Sequence, residues 1–185
     1  MAKNLLNTTA ILSLAVTVIL FVWHIQAPNE ILFSTLITFA TISYHLIMRL
    51  LVGILFNVTL NNKVNYKKSW FQVSQHEMAL YKKLKVKTWK GKLPTYNASS
   101  FDINKHTLEE IVQVMCQAEL VHETIALLSF LPIIAGFWVG AFPVFIITSL
   151  FAAAFDMSFV IAQRFNRQRV LRLIKIKSKS KKSHG

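Results

Sequence analysis

The chain has 185 residues, 54% of them hydrophobic, with mean hydropathy +0.44 and a formal charge of +13. Such apolarity argues against a string of soluble domains and for one membrane domain spanning residues 1–185. The basic residues fall between and after the apolar runs, a pattern of cytoplasmic loops against anionic lipid, not of nucleic-acid binding.

In chain order, four segments reach the ~20 residues needed to span a bilayer: 5–25, 31–56, 111–139 and 141–163. The first follows a single lysine and is longer than a signal-peptide core. Pro28 follows without a small-residue cleavage site, so it is read as a retained span. The connection 26–30 and the turn near Gly140 carry no Lys or Arg, whereas the segment 57–106 and the tail 164–185 are rich in both. The positive-inside rule then places both termini and the middle segment in the cytoplasm. The expected fold is an all-α integral membrane protein. It is a four-helix transmembrane bundle with a cytoplasmic amphipathic segment between helices 2 and 3.

Within that segment Trp70, Val73, Leu80, Tyr81 and Leu84 recur at helical spacing, predicting an interfacial helix whose apolar stripe is interrupted by Glu77. Trp89 to Pro94 then breaks it with Gly91 and Pro94. Thr107 and Glu110 fit a capping box that starts the third span. The tail 170–179 alternates Leu and Ile with Arg and Lys and is expected to rest on the cytoplasmic leaflet. Asn-x-Ser/Thr triplets begin at Asn7, Asn57 and Asn97, none in an outward loop on this topology.

Three ionisable residues, Glu119, His122 and Glu123, interrupt the apolar run 111–139. Charge at membrane depth costs roughly 2.5–3.5 kcal/mol per residue and by default marks a functional site. The topology places them in the cytoplasmic half, at the depth of His45 and Arg49 on the second span. Asp156, Gln163 and Arg167 fall on one face of the fourth, flanked by Arg164 and Asn166. His122 is the natural general base, with Glu119 one turn back to orient the ring. Arg49, Arg164 or Arg167 would hold a phosphate or an oxyanion. The same residues also fit an ion-pair network that only locks the helices together.

No metal site is expected: Glu119-x-x-His122 is half of a di-iron helix motif, and its second half is absent. The lone Cys116 lies ~120° around the helix from His122 and reads as packing.

Four blocks in order carry a family resemblance. They are Glu77 with Tyr81 and the run 84–94; Phe101; Ala118 to His122; and Gln163 to Arg169. Together they resemble the glycosyl-4,4'-diaponeurosporenoate acyltransferase family of carotenoid biosynthesis, over residues 70–173. The resemblance implies transfer of a fatty acyl group to a sugar hydroxyl of a membrane-embedded glycolipid-like acceptor, and the favoured reading takes that group from an acyl thioester or lipid ester at the cell membrane. No cofactor is expected. The resemblance places Glu77, Trp89, Lys90, Glu119, His122, Gln163, Arg164, Asn166 and Arg167 in the functional region. The chain departs from the family pattern at Glu123, at Thr95-Tyr96 and around Asp156. Two other classes compete: a non-catalytic adaptor binding anionic lipid through its lysines, and a small proton-coupled transporter.

Overall fold

Asparagine, proline and glycine set most of the helix boundaries in a computed structural model that describes residues 2–94 and 98–183. Thr95, Tyr96 and Asn97 lie outside the described residues. Among the described residues the regular structure is helical, with no strand. α1 (Ala2–Gln26) stops ahead of Pro28. α2 (Glu30–Leu60) begins behind Asn29, whose Oδ1 accepts from the Leu32 N–H at 2.7 Å. Asn61 and Asn62 then take positive φ of 44° and 58°, a conformation Asn tolerates, and end the helix.

The region expected to be one amphipathic helix from Trp70 is two pieces. A single 3₁₀ turn covers Ser69–Phe71, Gln72 is extended, and α3 (Gln75–Lys83) starts only after Ser74. The Ser74 side chain accepts from the Glu77 N–H at 3.1 Å, so the cap, not the apolar period, fixes the start. The consequence is that Phe71 is buried and Trp70 is 63% exposed. Lys85, at φ 51°, turns the chain into the short α4 (Val86–Trp89), followed by a 3₁₀ turn over Lys90–Lys92.

The capping box forms as the sequence reads. Thr107 N–H donates to Glu110 Oε2 at 2.7 Å, and Glu110 N–H donates to Thr107 Oγ1 at 3.2 Å. This starts α5 (Leu108–Leu128). The apolar run does not continue as one helix to residue 139. It breaks at Ser129–Phe130 and resumes as α6 (Leu131–Val139). Pro132 is the cause: it has no N–H to offer the Leu128 carbonyl, and its ring crowds that turn. α6 closes on Gly140, at φ 79°. Its Gly136 is required by close approach, since a Cβ there would sit 2.7 Å from the Phe142 ring. α7 (Phe142–Ser183) then runs unbroken for 42 residues, with no Gly or Pro after Pro143. The basic tail thus continues α7 without a break.

Four stretches are long and apolar enough to cross a membrane: Asn4–Gln26, Glu30–Leu60, Leu108–Val139 and Phe142–Ser180. The chain divides into two compact units, residues 1–55 with 124–156, and residues 56–123 with 157–185. In the first unit Thr17 and Ser43 share a hydroxyl–hydroxyl hydrogen bond of 3.0 Å. There too the Tyr44 hydroxyl donates to the Leu128 carbonyl at 2.8 Å, the acceptor that Pro132 leaves without its helical donor. The second unit has a core of Val64, Phe71, Val112 and Cys116, flanked by Leu60, Leu120 and Ile174. The Asn62 N–H reaches Gln117 Oε1 at 2.7 Å, satisfying a buried amide.

A stranded carbonyl in an apolar setting costs about 1–3 kcal/mol. Tyr44→Phe should lower stability by that amount in a detergent-unfolding titration, and Pro132→Ala should recover most of the loss by restoring an N–H. Unchanged stability of Tyr44→Phe would show that the hydroxyl does not close the break.

Candidate functional site

The second unit is organised by two arginines one turn apart on α7. Arg164 Nε donates to Glu77 Oε1 at 2.5 Å and Nη2 to Glu77 Oε2 at 3.0 Å, a bidentate fork. Its remaining donors go to Glu119 Oε1, to the Trp70 carbonyl at 3.0 Å and to the Gln72 carbonyl at 3.3 Å. A guanidinium has five N–H groups, and all are used. Arg167, wholly buried, donates to Glu119 Oε2 and to the Phe71 carbonyl at 2.8 Å, with its guanidinium 5.4 Å from the Phe71 ring centroid.

Residues 70 and 71 end a single 3₁₀ turn and Gln72 is extended, so their carbonyls lack helical partners. The two arginines satisfy all three in succession. Glu119, fully buried, supplies the charge that lets both guanidinium groups lie inside. Tyr81, one turn after Glu77 on α3, donates its hydroxyl to Glu77 Oε1. Burial alone would raise the Glu77 pKa, but the hydrogen bonds from Arg164 and Tyr81 outweigh it and hold the carboxyl below its ordinary value. Burial, and then the bond to Glu77, push the Tyr81 hydroxyl above the ordinary tyrosine value.

Around this cluster lie the other expected residues of the unit. Glu123 accepts from Trp70 Nε1 at 3.0 Å. Trp89 Nε1 donates to the Leu84 carbonyl at 3.0 Å, which pins the indole against the α3–α4 turn. Lys90 Nζ donates to Asn166 Oδ1 and lies 5.0 Å from the Phe165 ring centroid. Gln163 is half-buried on α7. His122 is half-buried, its ring stacked on Phe159 at 4.5 Å with 9° between planes.

The first unit holds a second polar group. Arg49 Nη2 donates to Asp156 Oδ2 at 2.5 Å and Nη1 to the His45 carbonyl at 2.9 Å. His45 is buried, and neither ring nitrogen has a partner among the described residues. The structure thus brings together Glu77, Glu119, Arg164 and Arg167, and separately Arg49 and Asp156. The sequence reading gave the Glu119 carboxylate to the His122 ring, whereas both its oxygens go to arginines. It also offered Arg164 to a phosphate or oxyanion, and that guanidinium has no donor left.

Two participants were missed. Phe159, the platform under His122, carries no signal beyond aromaticity in an apolar helix. The carbonyls of residues 70–72 carry none at all. Tyr81 was legible, four residues from Glu77 on one helical face. Among the described residues no three of His, Cys, Asp and Glu converge as a metal-ligand set.

The sequence model of the glycosyl-4,4'-diaponeurosporenoate acyltransferase family matches residues 67–176, more than half of the chain. The chain belongs to this family. The matched span contains every member of the Glu77–Arg164–Glu119–Arg167 cluster, together with His122 and Lys90, but not His45 or Arg49. Family membership assigns acyl transfer in carotenoid glycoside modification at family level. No curated protein and no solved structure matches the chain.

Removing one partner of a buried ion pair strands the other and costs about 3–5 kcal/mol. Glu119→Gln should lose that much stability, measured by unfolding in mixed micelles. For Glu77 the folded pKa lies below the unfolded one, so its pairing stabilises above the unfolded value and is lost as pH falls through the folded value. Wild type should therefore weaken on acidification below about pH 4.3, and Glu77→Gln should weaken less steeply. Parallel acid profiles would refute the coupling.

Proposed function

We propose that this family member transfers a fatty acyl group to a hydroxyl, a sugar hydroxyl by preference, of a lipid-like acceptor such as a carotenoid glycoside, with His122 as general base. The observation that carries this is the state of the imidazoles within the family-matched span. His76 and His106 are exposed, and His106 makes a surface contact of 3.8 Å with Glu110. His122 alone of the three is half-buried with its ring plane set, by Phe159. A general base needs an oriented nitrogen near a water-poor site, and such a base contributes roughly 10²–10⁴ in rate.

In the proposed reaction His122 takes the proton of the acceptor hydroxyl as its oxygen attacks the acyl carbonyl carbon. The tetrahedral intermediate collapses by breaking the bond to the donor's thiolate or alkoxide, and the imidazolium returns the proton to that leaving group. Glu119, Arg164, Arg167 and Glu77 do not touch the reacting atoms. They hold α5, α7 and the segment 70–77 in register, which fixes the backbone that carries His122. Glu123, Trp89, Gln163 and Asn166 border the substrates, with membrane lipid as the surrounding medium. Arg49, Asp156 and His45 form a separate polar group that is given a substrate-side role on sequence grounds.

We place the four apolar stretches across the cell membrane, with both termini and residues 57–106 in the cytoplasm. The support is the Lys/Arg bias between connections and the family's acyl and glycolipid substrates. Lys90→Cys in a Cys116→Ala background should label from the cytoplasmic side, and labelling from outside would overturn the orientation.

The direct test is untargeted lipid mass spectrometry on cells expressing the chain or His122→Ala at equal membrane abundance, with glycosylated precursors supplied. A species heavier by one fatty acyl group should appear with the intact chain and fall at least about 100-fold in the variant. Full activity of His122→Ala would refute the base. Identical profiles with no new species from either would refute acyl transfer and favour a lipid-binding adaptor.

A further inference from the structure

Among the many positive charges of the second unit, two groups differ in chemistry. Arg164 and Arg167 are matched by Glu77 and Glu119, two cations to two anions, so that cluster is neutral. Lys87, Lys90 and Arg169 form the other set, and among the described residues none of the three is in an ion pair. Lys90 is placed with unusual care for a lysine. The left-handed Lys85 reverses the chain after α3, Thr88 Oγ1 donates to the Lys85 carbonyl at 2.8 Å, and Trp89 is tied back to Leu84. The ammonium then meets Asn166 Oδ1 and the face of Phe165. Arg169 follows Asn166 by three residues and Phe165 by four on α7, which puts it on the face that holds Lys90. Lys87 stands three residues before Lys90, one turn away.

The three charges feel one another. The Lys90 pKa is lowered, first by burial and then by the charges of Arg169 and Lys87. Like charges gathered around a half-buried ammonium destabilise the protein unless an anion completes the set. Lysines that serve only diffuse attraction to a membrane surface need no such placement. Lys82 and Lys83, in the last turn of α3, are simply exposed.

We infer that Lys87, Lys90 and Arg169 form a binding site for a phosphate group carried by the acyl donor, with Asn166 and Phe165 orienting the central ammonium. Phosphate suits the site because it offers several anionic oxygens to cations arriving from different directions, where a carboxylate presents two in one plane. The neutral arginine cluster does not take this role: Arg164 has spent its donors and Arg167 is wholly buried. The inference rests on the proposed acyl transfer for the identity of the ligand, but its test needs no turnover.

The experiment is calorimetric titration of inorganic pyrophosphate into the full chain in phosphatidylcholine nanodiscs, at low and at raised salt. Binding should be salt-sensitive and at least about tenfold weaker in Lys90→Ala and in Arg169→Ala, the scale of one lost charged hydrogen bond. Lys90→Arg should retain most of it, and Asn166→Ala should weaken it by freeing the ammonium. The double change Lys82→Ala with Lys83→Ala should leave it intact. Since Arg169 is exposed, its variant reports on the site even where Lys90→Ala disturbs folding. Equal weakening by the Lys82–Lys83 pair would reduce the site to diffuse electrostatics and overturn the inference. So would absence of pyrophosphate binding together with Lys90-dependent sedimentation on phosphatidylglycerol vesicles, which would give the charges to lipid headgroups. Pyrophosphate binding in a chain that never transfers acyl groups would sink the proposed reaction and leave the phosphate site standing.

Discussion

Two guanidinium groups in the interior of the second unit, held there by two carboxylates, are the constraint on which the rest of that unit depends. Burying two charges and partly burying two more is unfavourable taken singly, and pairing offsets much of that cost without making the cluster a large net source of stability. What it confers is a single arrangement. Arg164 satisfies its fork only when α3, α5 and the segment 70–72 are all in place. Arg167 adds the Phe71 carbonyl to the same set. A slip of one residue on α7 would leave buried donors unpaired, so the register of three elements is fixed together.

Charge neutrality in that cluster separates positioning from binding. A guanidinium whose donors are spent is a structural bolt, however close it lies to chemistry. Cations that remain unpaired, gathered and partly desolvated, are the ones able to meet a substrate. The number of arginines near a membrane site therefore says less about ligand binding than their acid partners do.

The sequence made the helical architecture legible because its signals there are local. Thr107 and Glu110 fulfil a pattern confined to one turn, and Gly140 and Pro28 act on their own backbone. The break at residues 129–130 was missed although Pro132 is plain to see, because an apolar run of that length reads as one span and hydropathy is blind to a lost N–H. The tail is the complementary case: composition changes from apolar to basic there, while the backbone has nothing to stop the helix. Within the site, residue types were legible and pairings were not. Glu119 lies one turn from His122 along its own helix, which makes that pairing the obvious one. The arginines that capture it come from residues more than forty positions away, and spacing along one helix cannot reveal such a contact.

The hydrogen bond that closes the broken third span also bears on how the chain is made. Tyr44 precedes Leu128 by 84 residues and leaves the ribosome first. Once α2 lies across the bilayer as proposed, its phenol waits at the place where the later segment will arrive with a carbonyl that hydrocarbon cannot solvate. Release of that segment into lipid is then least costly beside α2, which gives biogenesis a preferred order. On that topology α2 would be in place before the proline-broken helix arrives, and the last helix would follow both.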